Sequence, residues 1–278
     1  MGLGSRNWIS VCYGNDKFVA VSDSNANIAY STDGINWTAG STEGTLIHLY
    51  SVCYGNDKFV VVGTHWSNKL VSGSYKSVRD KITSFSSSDG ITWTENQIST
   101  NVDSSNNSRD TAGIHICYGN DKFVVIWWNT NSKKSLTVNG FAYSYDGMTW
   151  TEGTISDTKR RWYSICYGND KFVAVASSSK YFAYSTDGIT WTESTISSTS
   201  RYWESVCYGN GKFVAVASSS KYFAYSTDGI NWTEGTISDT SSDWRSICYG
   251  NDKFVVVAYG TEFAYYSKQF PSNLNFID

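Results

Sequence analysis

No stretch of this chain is apolar for the ~20 residues that a membrane-crossing helix needs. Its opening, MGLGSRNWIS, lacks the basic start and apolar core of a signal peptide, so no export signal is expected. Charge of one sign is also missing: 22 Lys and Arg face 25 Asp and Glu. That balance gives no footprint for nucleic acid or for insertion into an anionic membrane. Histidine occurs three times, as the scattered His48, His65 and His115, which leaves a catalytic triad nothing to stand on. No CxxC or His/Cys spacing marks a zinc site. Asp23-Ser24-Asn25-Ala26-Asn27 has part of a calcium-loop pattern but lacks its following Gly and distal Glu. No metal and no cofactor are expected.

What the chain does have is aromatics, at 16%, with 23 Gly and abundant Ser and Thr against a single proline. This is the profile of many short strands joined by tight turns. Repetition dominates it. The phrase CYGN[DG]KFV occurs six times, with cysteine-to-cysteine steps of 41, 64, 49, 41 and 41 residues. Cys12, Cys53, Cys117, Cys166, Cys207 and Cys248 thus share one place in a repeat. Equivalent side chains in neighbouring repeats point the same way, so six reduced, buried thiols are expected rather than disulfides.

The repeat from Ser164 reads as four strands: WYSICY, KFVAVA, YFAYS and TWTESTI. Asn-Asp, or Asn210-Gly211, suits a type I′ hairpin between the first two. Ser-Thr-Asp-Gly joins the last two, with the Asp carboxylate accepting backbone N–H groups. The Trp three residues beyond that Gly (Trp37, Trp93, Trp150, Trp191, Trp232) is expected to seal the hairpin against the next repeat. Four-stranded meanders that cannot bury both faces alone stack around an axis. The expected fold is all-β: a six-bladed β-propeller of four-stranded antiparallel blades, with residues 1–278 as one domain. A linear β-solenoid is the rival, but its repeats are shorter.

Y-S-T-D-G-I-[TN]-W resembles the Asp-box, or BNR, repeat of sialidase-like propellers, S-x-D-x-G-x-x-W, with one residue fewer between Asp and Gly. The resemblance covers five repeats; in the sixth, Tyr265-Tyr266-Ser267-Lys268-Gln269-Phe270 replaces the box. It implies the fold and little about activity. Sialidases need an arginine triad, a Tyr–Glu pair, an Asp acid and usually an Arg-Ile-Pro segment. The only proline here is Pro271, so no catalytic residue carries over, and a non-catalytic member is expected.

Comparing the repeats with each other shows where length varies. From the second-strand Lys to the box Trp the step is 20 residues in repeats one, four and five, but 35 in repeat two and 28 in repeat three. Those inserts are expected as loops on one rim, where binding usually sits. The first carries Trp66, Lys69, Tyr75, Lys76, Arg79 and Lys81; the second carries Trp127, Trp128, Lys133 and Lys134. The blade-entry segments add Arg161 and Arg201, and the pairs Lys180-Tyr181 and Lys221-Tyr222 recur. Aromatic faces stack on sugar rings, and cations pair with carboxylate or phosphate. The expected function is therefore non-enzymatic binding of a glycan or other anionic surface polymer, with Trp66, Trp127, Trp128, Lys133, Lys134 and Arg79 solvent-accessible around one depression. The alternatives are a protein-interaction scaffold and a sialidase-like hydrolase. The entry tryptophans have a plainer reading as core. Near-identical blades suggest recent amplification, as in adhesins and phage-like receptor-binding parts, where the chain would belong to a larger particle.

Overall fold

The structure, a computed structural model, describes residues 6–23, 27–42, 47–71, 74–100, 112–131, 136–155, 160–196, 199–237, 241–260 and 264–267. Every regular element among them is a strand. The first sheet holds β1 (Trp8–Gly14), β2 (Lys17–Ser22), β3 (Asn27–Ser31) and β4 (Thr38–Ser41). The second holds β5 (Ile47–Gly55), β6 (Lys58–Val71), β7 (Ser74–Ser87) and β8 (Thr94–Ser99). The third holds β9 (Ala112–Gly119), β10 (Lys122–Asn131), β11 (Leu136–Ser144) and β12 (Thr151–Gly153). The fourth holds β13 (Arg161–Gly168), β14 (Lys171–Ser177), β15 (Tyr181–Ser185) and β16 (Thr192–Thr195). The fifth holds β17 (Tyr202–Gly209), β18 (Lys212–Ser218), β19 (Tyr222–Ser226) and β20 (Thr233–Thr236). The sixth holds β21 (Asp243–Gly250), β22 (Lys253–Tyr259) and β23 (Ala264–Ser267), three strands among the described residues. Each sheet is an antiparallel meander in chain order. Residues 268–278 lie outside the described residues.

The chain packs as two compact units, Met1–Thr154 with the first three sheets and Ile155–Asp278 with the last three. Within each unit, the recurring phrase is explained by joints between neighbouring sheets. Asn15 and Asp16 both have positive φ (43° and 53°), as a type I′ turn requires. That turn grips the acidic turn of the following sheet. Asn15 Nδ2 donates to the Ser88 carbonyl at 3.2 Å and Lys17 Nζ to the Asp89 carbonyl at 2.8 Å. Asn56 and Lys58 repeat the contacts on Tyr145 and Asp146, and Asn169 repeats the first on Thr227. The glycine of the phrase is required by close approach: a Cβ on Gly14, Gly55, Gly168 or Gly209 would overlap the ring of Tyr54, Tyr118, Tyr208 or Tyr249 in the next sheet. The serine two before Cys12, Cys53, Cys166 and Cys207 ties first strands together, with Ser10, Ser51, Ser164 and Ser205 accepting from the backbone N–H of Val52, Ile116, Val206 and Ile247.

Apolar side chains fill the spaces between sheets. Val19, Val21 and Ile28 pack on Leu49, Val52, Phe59, Val61 and Phe85; Val173, Val175 and Phe182 pack on Trp203, Val206 and Phe213. Trp150 and Trp232, past the acidic turns of the third and fifth sheets, seal against the preceding sheet, not the next as expected. Trp150 Nε1 donates to Ser84 Oγ at 2.9 Å, and Trp232 meets Phe182 edge-on at 4.7 Å. The reason is that the preceding hairpin holds that turn. None of the six cysteines forms a disulfide. Cys12 and its equivalents Cys53, Cys117, Cys166 and Cys207 are half-buried rather than fully buried, and Cys248 is exposed. Burial pushes the Cys12 thiol up to about 12, which keeps it protonated and inert.

Candidate functional site

The two inserts are strand, not loop. β6 and β7 run 14 residues each and pair from Phe59↔Ser87 out to Val71↔Ser74; β10 and β11 pair out to Asn131↔Leu136. A paired hairpin satisfies its own backbone groups, which an open loop would leave to solvent. Trp66 is 4% exposed and Arg79 is 1% exposed. They stand opposite each other, with the guanidinium 5.1 Å over the indole. Trp66 Nε1 donates to Thr64 Oγ1 at 3.0 Å, and the His48 ring meets the indole at 5.4 Å. This corrects the expectation that the two are accessible: they make a packing pair.

Trp127 and Trp128 are buried as well, at 2% and 4% exposure. Their place explains them. In the last three sheets the entry tryptophans Trp162, Trp203 and Trp244 pair with the small Ala176, Ala217 and Ala258. In the third sheet the sizes are exchanged across the strands. Gly113 stands four before Cys117, and the bulk comes from Trp128 opposite it and Trp127 opposite Ile114. A Cβ on Gly140 would come within 2.6 Å of Trp127, and one on Gly113 would overlap Trp128. These tryptophans are core.

The remaining expected residues divide. Tyr75 is 79% exposed at the outer end of the β6–β7 hairpin, opposite the exposed Leu70. Lys81 is bound to Glu95 at 2.7 Å. The side chains of Lys69 and Lys76, and all of Lys133 and Lys134, lie outside the described residues. Arg201 lies 4.0 Å over Tyr222 and donates to both oxygens of Glu234, at 2.8 and 3.3 Å. Arg160 does the same with Tyr181 and Glu193. Lys180 and Lys221 flank the same two rings at 5.4 and 5.5 Å. Arg201, Tyr181 and Tyr222 are therefore committed to an internal clamp. Arg161 is exposed.

A different cluster emerges beside Arg161. In the last three sheets, a β-bulge follows the entry tryptophan, so that Tyr163, Glu204 and Arg245 are the extra residues of β13, β17 and β21. A bulge re-aims its side chain. These three strands lie side by side. Glu204 accepts from Ser218 Oγ at 2.8 Å and faces Arg245 at 3.5 Å, and Arg245 stands 3.9 Å from Asp243. Asp243 in turn accepts from the backbone N–H and Oγ of Ser219, both at 2.9 Å. Burial pushes the Glu204 carboxyl upward, against the opposing pull of Ser218 and Arg245. Burial, then the neighbouring Glu204, raises the Tyr163 phenol. The Ser219 hydrogen bonds hold Asp243 low. Arg245 keeps nearly half of its side chain exposed (48%), with Tyr202 exposed nearby on the same entry strands. Perturbed groups gathered with an available cation are the physical signature of a site. The signal in the sequence is that the third residue before the Cys is different in each of the last three repeats: Tyr163, Glu204 and Arg245.

No family model matches the chain, and no curated protein matches it in sequence. Solved structures do. YCF48 bound to D1 peptide is similar at a TM-score of 0.64 and 14% identity, over 95% of this chain and 78% of that one. Virginiamycin B lyase from Staphylococcus aureus is similar at 0.65 and 13%, over 94% and 91%. The fold is a six-bladed β-propeller. YjhT, at 0.59 and 9% over 94% of each chain, agrees. At such identities the likeness carries the propeller alone, and propellers of this kind include both binding proteins and lyases.

Proposed function

We propose that this propeller is a non-enzymatic binding module that recognises a glycan or another anionic surface polymer on the rim formed by its entry strands. One observation carries the reading: Arg161, Tyr202 and Arg245 are exposed together on β13, β17 and β21, with Tyr163 beside them. Arg245 stands at 3.5 and 3.9 Å from its two carboxylates. Those separations are long for charge-assisted hydrogen bonds, and nearly half of the side chain is exposed, so the guanidinium can also meet a ligand anion. Exposed tyrosine supplies the flat face that a sugar ring needs. The resemblance of the Ser-Thr-Asp-Gly turn to the Asp-box agrees with a propeller whose turns are structural. The rim, rather than the inserts, is the binding surface in this reading. A glycan array probed with the wild type and with Arg245→Ala tests it; no signal from the wild type sinks the proposal.

A protein partner is the second reading, favoured by Leu70 and Tyr75. They are directly opposed at the end of the β6–β7 hairpin, with 63% and 79% exposure. Co-purification of a protein that Leu70→Ser/Tyr75→Ser abolishes, with no glycan signal, would select it.

A further inference from the structure

Repeats four and five provide an internal control. Residues 160–200 and 201–241 differ at seven of 41 positions. Three of those differences fall in turns or on the outer strand: Asp170/Gly211, Thr190/Asn231 and Ser194/Gly235. Ile165/Val206 is a conservative change in the core, and Ser198/Asp239 lies outside the described residues. The other two are Arg161/Tyr202 and Tyr163/Glu204, which stand five and three residues before the Cys, on the entry strand. The tryptophan between each pair is unchanged and fully buried. Thus, the conservative Ile165/Val206 change apart, the entry strand alters its chemistry only at the two positions that flank its buried tryptophan. The sixth repeat changes the same two again, to Asp243 and Arg245.

Resting on the binding reading above, we infer that these paired positions are the specificity-determining row of the rim. In Ile155–Asp278 the row, Arg161/Tyr163, Tyr202/Glu204 and Asp243/Arg245, takes an extended acidic polysaccharide laid across three strands. The strands are held in fixed succession by Ser164 and Ser205, which accept from Val206 and Ile247 at 3.2 Å. A ligand must therefore cross all three to meet the whole row. The row places a cation at each end, with Tyr202 between them. Glu204 and Asp243 neighbour Arg245 without covering it, because nearly half of its side chain stays in water. An extended polymer with anionic groups along it and sugar faces between them fits this order. A single small anion would need only one of the two arginines.

The near-identical repeats allow a test by exchange. Arg161→Tyr/Tyr163→Glu gives sheet four the row of sheet five, and Tyr202→Arg/Glu204→Tyr does the reverse. Each row already exists in almost the same scaffold, so both variants should keep the wild-type unfolding midpoint. Binding of labelled polygalacturonate, which carries carboxylates, and of dextran sulfate is followed by fluorescence anisotropy. The first exchange should weaken binding at least tenfold, about 1.4 kcal/mol, and the second should tighten it. A larger response with polygalacturonate identifies carboxylate as the preferred anion; a larger one with dextran sulfate identifies sulfate. Lys122→Glu, on the hairpin of sheet three, makes the same change in net charge as the first exchange and should leave affinity within about twofold. Wild-type binding that neither exchange alters, or that Lys122→Glu weakens equally, overturns the row while leaving a binding module intact. Absence of wild-type binding to both polymers and to the glycan array overturns the binding reading itself.

Discussion

Lys17 reaches across 72 residues of sequence to donate to the main-chain carbonyl of Asp89 at 2.8 Å. Two hairpins of constant length, in different repeats, are halves of one joint. Asp89 also turns its carboxylate inward, accepting the N–H groups of Ile91 and Thr92 at 2.8 Å each. The invariant spacing of the repeat is the geometry of this joint.

Acid should undo it. The backbone N–H of Thr92, then that of Ile91, holds the Asp89 carboxyl down to about 2, against an ordinary 3.8; the same N–H pattern lowers Asp33. A carboxyl whose folded pKa is depressed stabilises fully above its unfolded value, and that contribution is lost as pH falls through the folded one. The unfolding midpoint should therefore drop between about pH 4 and pH 2. Asp89→Asn should lower the midpoint at pH 7 and shrink the drop, as thermal melts across that range would show.

Tryptophan burial sets a second expectation. Trp203→Ala and Trp127→Ala each empty a space between sheets and should cost roughly 3–5 kcal/mol. Tyr75→Ala, at the exposed hairpin end, should stay within about 0.5 kcal/mol. Urea titrations of the three variants distinguish core from surface. Equal effects at Trp127 and Tyr75 would contradict the burial described here.

The third-sheet size exchange is testable through Gly140. Its missing Cβ makes room for Trp127, so Gly140→Ala should destabilise by about 1–3 kcal/mol through overpacking. Pairing it with Trp127→Phe should recover part of the loss. Additive losses would count against a shared space.

Ligand affinity should depend on pH through Glu204. Its carboxyl is raised by burial, so it takes up a proton at a higher pH than an ordinary glutamate. The neutral form removes a negative charge beside Arg245, whose other acidic neighbour is Asp243; Arg161, Tyr163 and Tyr259, whose ring lies 5.8 Å from the guanidinium carbon, are the other charged and titratable neighbours. Binding of dextran sulfate, which stays ionised throughout, should strengthen as falling pH protonates Glu204. Glu204→Gln should bind more tightly than the wild type at pH 7, with a flat profile. A profile unchanged by that substitution removes Glu204 from the rim's electrostatics.

The sequence by itself determined the number of repeats, their four-strand pattern, both turn types and the core role of the entry tryptophans. Each of these is local: two-residue alternation, a positive-φ pair such as Asn15 and Asp16, and an Asp within reach of the N–H groups two and three residues on. Tertiary structure decided what depends on residues far apart in sequence. Trp127 and Trp128 look like loop aromatics until Gly113 and Gly140 are seen beside them, leaving the space that they fill. Arg201 reads as a free cation until Glu234 and Tyr222 close on it, 33 and 21 residues later. Glu204 and Arg245 stand 41 residues apart in the chain, and only the lateral packing of β17 on β21 makes them neighbours. Periodicity reports which face of a strand is apolar, but not which partner covers it. The candidate site is made of side chains whose partners belong to the neighbouring repeat.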